Sequence, residues 1–136
     1  MTDWLLDGEP MTEVPPGGYE GFCYLITHVE TGKKYIGKKS FWTRRLSTAP
    51  APGSKKKRRR RLTKESNWRN YYSSCAELIE DVEKLGPDAF TREVLKLCHT
   101  PAKLNYEEVS LQFRHDVLRG NYYNRNIAGR WFRKSD

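Results

Sequence analysis

Hydrophobic positions in this chain fall into a few patterned blocks separated by polar or Gly/Pro-rich stretches. From Gly21 the run FCYLITHV is dense in aromatic and β-branched residues, ETGK supplies a turn, and KYIGKK follows, which predicts a β-hairpin. Further on, Leu78, Ile79, Val82 and Leu85 form a stripe of helical period, with Ser74 and Glu77 at capping-box spacing and Gly86 placed to close the C terminus. A helix beginning at Ser74 is therefore predicted. Pro87 and Asp88 turn the chain into FTREVLKLC, a third strand. Thr100 as N-cap and Pro101 at the first helical position then open a second helix, running to about Leu118 and stopped by Gly120. The segment after it, NYYNRNIAGRWFRK, is short, aromatic and basic.

Two stretches lack this patterning. Residues 1–18 end in PPGG and show no lasting period, which reads as an arm rather than a packed element, with Trp4, Leu5 and Leu6 as its docking side chains. From about residue 47 to 69 the chain begins STAPAPGS and runs into seven consecutive cations, Lys55 to Arg61. No core can be built from it, so a mobile basic loop inserted into the domain is expected. The division is thus an acidic arm over 1–18 and one domain over 19–136.

Charge sharpens this picture. The net charge is +8 over 136 residues, but the first 20 residues hold five acids and no base, so residues 21–136 carry +13. A body that basic attracts polyanions and points to nucleic acid. The chain has no apolar run of about 20 residues and no secretory leader pattern, so neither a membrane nor secretion is expected. Three cysteines, Cys23, Cys75 and Cys98, include no CxxC pair and read as buried free thiols of a reducing cytoplasm. His28, His99 and His115 lack metal-ligand spacing, and no zinc finger or helix-turn-helix is visible.

The hairpin carries the first chemical signal. Residues two apart in a strand share a face, and so do directly facing residues of paired strands. Tyr24 and Tyr35 are 11 positions apart, so a connection with an even number of residues puts both phenols on one side, at a diagonal distance of about 7–8 Å. An odd connection separates them.

CYLIT (Cys23 to Thr27) followed by KKYIG (Lys33 to Gly37) resembles the GIY-YIG nuclease signature, with Tyr24 and Tyr35 as its two tyrosines. The YIG half matches literally, while Phe22 and Cys23 stand where the family has Gly and Ile. A helix ending in LG, a strand of type F-x-R-E-V-L, a helix carrying Glu108 and a closing YYN follow in the family's order, so the resemblance covers residues 21 to about 128. It implies an α/β (α+β) fold with a small three-stranded antiparallel sheet flanked by helices. It also implies a metal-dependent DNA endonuclease, of the stand-alone phage or mobile-element type, acting in the cytoplasm on double-stranded or branched DNA.

Phosphodiester hydrolysis needs an attacking water, a group that takes its proton, and positive charge on the phosphate oxygens. The resemblance implies that Glu108 holds one Mg²⁺, with Mn²⁺ as a substitute and the adjacent Glu107 as the alternative ligand. It implies an essential guanidinium at Arg45, ten after Tyr35, with Arg44, Arg59, Arg60 and Arg69 as alternatives. Asn124 matches the family's bracing Asn, and Asn126 is its alternative. Tyr24 becomes the base or water-positioning group, which requires its phenol to fall below the usual pKa of about 10. The Mg²⁺ and the guanidinium have the sign that favours phenolate, and Lys34, Lys38 and Lys39 add to that field. DNA contact falls to Lys38, Lys39, Lys55, Lys56, Lys57, Arg58, Arg59, Arg60, Arg61 and Arg69. Trp68, Tyr71 and Tyr72 read either as base-stacking groups or as packing. The rival reading is a non-catalytic basic DNA- or RNA-binding module that kept the fold.

Overall fold

A computed structural model describes residues 2–47 and 60–134, with the side chains of 44–47 and 60–62 outside that description. Five strands form the main sheet: β1 (Trp4–Leu6), β2 (Glu9–Met11), β3 (Gly21–His28), β4 (Lys34–Ser40) and, after two intervening strands and a helix, Phe90–Cys98. The intervening strands are β5 (Trp42–Ser47) and β6 (Arg60–Glu65), so Phe90–Cys98 is β7. Helix α1 spans Ala76–Leu85, helix α2 spans Pro101–Arg114, and a last small hairpin pairs β8 (Asn126–Ile127) with β9 (Trp131–Phe132). The spatial order is β2-β1-β7-β3-β4, with β1 parallel to β7 and the other pairs antiparallel.

The sheet is therefore mixed and five-stranded, not three-stranded and antiparallel. The two extra strands come from the stretch expected to be an unpacked arm. Asp7 and Gly8 both take positive φ (52° and 82°) between the paired residues Leu6 and Glu9, the geometry of a two-residue hairpin turn. Trp4 then pairs with Arg92 and sits in the core at 1% exposure, its indole N–H donating to the Trp68 carbonyl at 2.7 Å.

Strand β3 is central and covered on both sides, which explains its unbroken apolar run. Phe22, Tyr24 and Ile26 pack with Trp4, Phe41, Trp68, Phe90 and the α1 residues Leu78 and Val82. Cys23 turns the other way and packs with Ile36, Cys98 and the α2 residues Leu104 and Leu111. Helix α1 ends at Gly86 as expected, but its N-cap is Cys75 with no side-chain cap bond; Ser73 Oγ instead accepts from the Cys75 amide at 3.1 Å. Helix α2 starts as expected, the Lys103 amide donating to Thr100 Oγ1 at 3.1 Å. It stops at Arg114 rather than Leu118, because Asp116 enters the left-handed region (φ 50°) and the chain turns to bury Val117.

The expected basic loop is paired at both of its described ends: Trp42 faces Glu65 and Ser47 faces Arg60 in a two-stranded ribbon. Lys55, Lys56, Lys57, Arg58 and Arg59 lie outside the described residues. Cys23 and Cys98 are buried free thiols, whereas Cys75 is half-buried. Among the described residues no helix is long and apolar enough to cross a membrane.

Candidate active site

The hairpin register decides the tyrosine geometry. Tyr24 faces Gly37, Ile26 faces Tyr35, and the last partners are Thr27 and Lys34, so the connection over residues 28–33 has an even count. Both phenols therefore lie on one face, with ring centroids 6.1 Å apart. Between them the chain has no side chain. A Cβ at Gly37 would lie 2.6 Å from the Tyr24 hydroxyl and 2.8 Å from the Tyr35 ring, so only glycine lets the Tyr24 phenol rest across β4. Tyr71 meets Tyr24 edge-on at 6.1 Å, and Ser74 lies near enough to Tyr35 to act on its phenol. Ser74 does not cap the helix it was expected to start.

Strand β4 forms one side of the sheet, and its outward backbone groups are met by the segment after α2. The Lys34 amide donates to the Asn121 carbonyl at 3.0 Å, and the Tyr123 amide donates to the Lys34 carbonyl at 2.7 Å. At the next outward position the side chain of Asn124, 2% exposed, replaces a strand. Its Oδ1 accepts from the Ile36 amide at 3.1 Å, and its Nδ2 donates to the Ile36 carbonyl at 2.9 Å. Gln112 of α2 donates to the same carbonyl at 2.9 Å. Arg133, brought back by the β8–β9 hairpin, donates to the carbonyls of Val117, Tyr122 and Asn124.

A cavity of about 450 Å³ opens beside this brace, lined by Tyr35, Ser74, Glu108, Gln112, Asn124 and Arg125 among others. Glu108 and Gln112 reach it because Leu104 and Leu111, on the same face of α2, are anchored in the core. Burial raises the Glu108 pKa, with Lys38 opposing that shift, and the charge of Glu108 is felt at both phenols. Glu107 is not in the cavity lining; it pairs with Lys103 at 3.3 Å and Arg114 at 3.9 Å. Asn126 also differs from Asn124, its exposed side chain accepting from the Gly129 amide at 3.0 Å as a turn residue does.

Among the described residues, burial outweighs every influence that would acidify the phenols. Burial, then Tyr35, Tyr71 and Glu108, push Tyr24 well above the ordinary phenol value, and burial takes Tyr35 to about 12 against the opposing influence of Ser74. The expected lowering rests on a bound cation and on Arg45, whose side chain lies outside the described residues. The nearby lysines are placed elsewhere: Lys34 donates to the Gly32 carbonyl, Lys38 to Asn105 Oδ1, and the Lys39 ammonium sits 4.1 Å from the Tyr71 ring centroid. Arg69 is bound to Glu13, Glu65 and the Thr12 carbonyl and lies over the Trp68 ring. The side chains of Arg44, Arg45, Arg60 and Arg61 lie outside the described residues, as does Arg59.

Among the described residues no three His, Cys, Asp or Glu side chains gather at one point. One half-buried carboxylate at the wall of an open cavity is nonetheless a donor set that suits Mg²⁺, which keeps several waters and takes one or two carboxylates plus phosphate oxygens. Glu108 provides that carboxylate. Tyr71, Ser74, Gln112 and Arg125 are site residues the sequence did not single out for chemistry. Gln112 was the most traceable, one helical turn after Glu108.

Paired motif tyrosines across a hairpin, a helix glutamate and a bracing asparagine at the strand edge define a nuclease domain of the GIY-YIG class. More particularly, the family model described as "Putative endonuclease segE, GIY-YIG domain" matches residues 4–127, and the chain belongs to that family. The match starts at Trp4 and so takes in the β1–β2 hairpin. No curated protein and no solved structure matches the chain. The family makes the domain an endonuclease, with DNA as the implied substrate, and its nucleases are generally metal-dependent.

Proposed function

We propose that the protein is a metal-dependent endodeoxyribonuclease that hydrolyses phosphodiester bonds of double-stranded or branched DNA in the cytoplasm. The observation that carries this reading is the meeting of Tyr24 and Tyr35 over Gly37, beside a cavity walled by Glu108. Water attacks phosphorus as the bond to the 3′ oxygen breaks; the attacking water loses a proton and the 3′ oxygen gains one, leaving 5′-phosphate and 3′-hydroxyl. Tyr24 orients the water through its hydroxyl and takes the water's proton only as its own phenolic proton passes on to a phosphate oxygen, so that no free phenolate stands. Tyr35 fixes Tyr24 and the phosphate, and Asn124 holds β4 so that both phenols keep their register. Glu108 would hold the Mg²⁺ or Mn²⁺, which when bound offsets the charge that builds on the phosphate oxygens. Arg45 would neutralise a non-bridging oxygen.

The ribbon β5–β6 and the cations between its strands would grip the DNA backbone. If six of the seven charges from Lys55 to Arg61 meet phosphates, log K falls against log salt with a slope of about −5 from this element alone. Supercoiled plasmid incubated with the wild type, Tyr24→Phe and Glu108→Ala, with Mg²⁺ and with EDTA, tests the reading. Nicking that needs metal and is lost in both variants is expected, with Glu107→Ala still active. Binding without nicking by the wild type would assign the chain to the non-catalytic module instead.

A further inference from the structure

Among the described residues the cavity lining contains a single guanidinium, that of Arg125. Its setting differs from that of the arginines tied into the fold, Arg92, Arg133 and Arg69. Arg92 is buried against the Thr2 and Tyr71 carbonyls between the rings of Trp4 and Tyr72, Arg133 holds three carbonyls, and Arg69 holds two carboxylates and a carbonyl. Among the described residues the Arg125 side chain has one polar contact, Nη2 to Glu77 Oε2 at 2.9 Å, and it is 66% exposed. Glu77 has a second cation: Lys33 Nζ donates to its Oε1 at 3.1 Å while lying 4.4 Å from the Tyr123 ring centroid. Removing Arg125 from Glu77 therefore leaves no carboxylate without a partner.

The backbone of Arg125 is fixed where its head is not. It follows Asn124, whose buried amide is clamped to Ile36 of the strand bearing Tyr35. A guanidinium on a rigid root, at the wall of a cavity with Tyr35 and Glu108, and held only by an exposed ion pair of the weak kind, is built to exchange partners. A phosphate offers it two parallel charge-assisted hydrogen bonds, a stronger partner than the shared carboxylate.

We propose that Arg125 leaves Glu77 when nucleic acid enters the cavity and binds a phosphate there, so that Glu77 is its resting partner and the Arg125 side chain a substrate-contacting group of the reaction. This rests on the nuclease reading of the same cavity, and it adds a guanidinium separate from the one proposed at Arg45.

Wild type, Arg125→Ala, Arg125→Lys and Glu77→Gln are compared by anisotropy of a labelled DNA duplex across a salt series and by single-turnover cleavage at saturating DNA. Thermal melting first establishes that each variant is folded. For Arg125→Ala the slope of log K against log salt should become shallower by about one. Its cleavage rate should fall about 100-fold, as when one preorganised donor to a developing oxyanion is lost. Arg125→Lys should recover the slope and only part of the rate, because an ammonium lacks the planar fork. Glu77→Gln should keep the wild-type slope and cleave at least as fast. Wild-type behaviour of Arg125→Ala overturns the inference. So does an equal loss in Glu77→Gln, which would make the pair a strut between α1 and the segment after α2. If the wild type does not cleave yet Arg125→Ala still flattens the salt slope, the nuclease reading fails and the phosphate contact stands.

Discussion

The main sheet ends on two strands whose outer edges are finished in opposite ways. At β2 the side is short and bears Glu9 and Pro10, both exposed; Pro10 has no N–H to offer, which discourages another strand from adding. At β4 the outward groups are instead satisfied from within, by the backbone of 121–123 and then by the amides of Asn124 and Gln112. A sixth strand there would have filled the space beside Ile36. A side-chain amide meets the same two backbone groups with far less bulk, and the cavity lies in the room that remains. The hollow of about 290 Å³ beside β2 is lined by residues such as Glu9, Pro10, Pro15 and Pro16 and holds no phenol, whereas the cavity at the braced edge brings Tyr35 and Glu108 together.

Disturbing the braced edge should cost most. Gly37→Ala places a methyl where the Tyr24 hydroxyl lies, so the phenol must move by about 1 Å or more, and plasmid nicking is expected to drop about 100-fold. The same test at the other edge should leave the rate per folded molecule unchanged. Next comes Asn124→Leu, which strands the Ile36 amide without an acceptor while Gln112 still serves the carbonyl. A loss of about 1–3 kcal/mol in urea unfolding is expected. Gly8→Ala, at φ 82° in the β1–β2 turn, should cost only about 1–2 kcal/mol in the same assay, with nicking intact.

The smallest effect is one of pH. Tyr35 has its pKa raised from 10 to about 12 on folding, so its neutral form is favoured in the native state. Its contribution is complete below pH 10, where the unfolded chain also keeps the proton, and is lost progressively as pH rises from 10 through 12. Tyr35→Phe should remove that part of the alkaline decline in unfolding free energy measured between pH 8 and pH 11. An unchanged decline would show that the ring is more hydrated than its packing indicates.

Much of the braced edge was legible in the sequence, because its determinants are local or follow parity. The 11-residue spacing of Tyr24 and Tyr35 gave co-facial phenols once the connection proved even, and the Thr100-Pro101 start of α2 fixed the helix that carries Glu108. The protected edge was missed. Asp7-Gly8 is a hairpin signal in its own right, but the flanking strands are three residues each and their partner, β7, lies some 88 positions away at the Trp4–Arg92 pair. No local period reports such a parallel pairing. The ribbon was obscured differently, since its strands are dominated by charge and pair across the cationic stretch. Lysines near Tyr24 in sequence are turned to other partners in space: Lys39 faces the Tyr71 ring and Lys38 faces Asn105.

One residue, Phe41, separates the strand bearing Tyr35 from the first strand of the basic ribbon. It is fully buried, edge-on to Trp68 at 5.3 Å; its amide donates to the Glu20 carbonyl at 2.9 Å and its carbonyl accepts from the Ser66 amide at 2.8 Å. A joint locked on both flanks is a mounting and not a swivel. If the ribbon grips DNA as proposed, this joint would present the bound strand to the phenols at one fixed angle, so that the joint would set where along the strand the cut falls and the ribbon's charge only how firmly the strand is held.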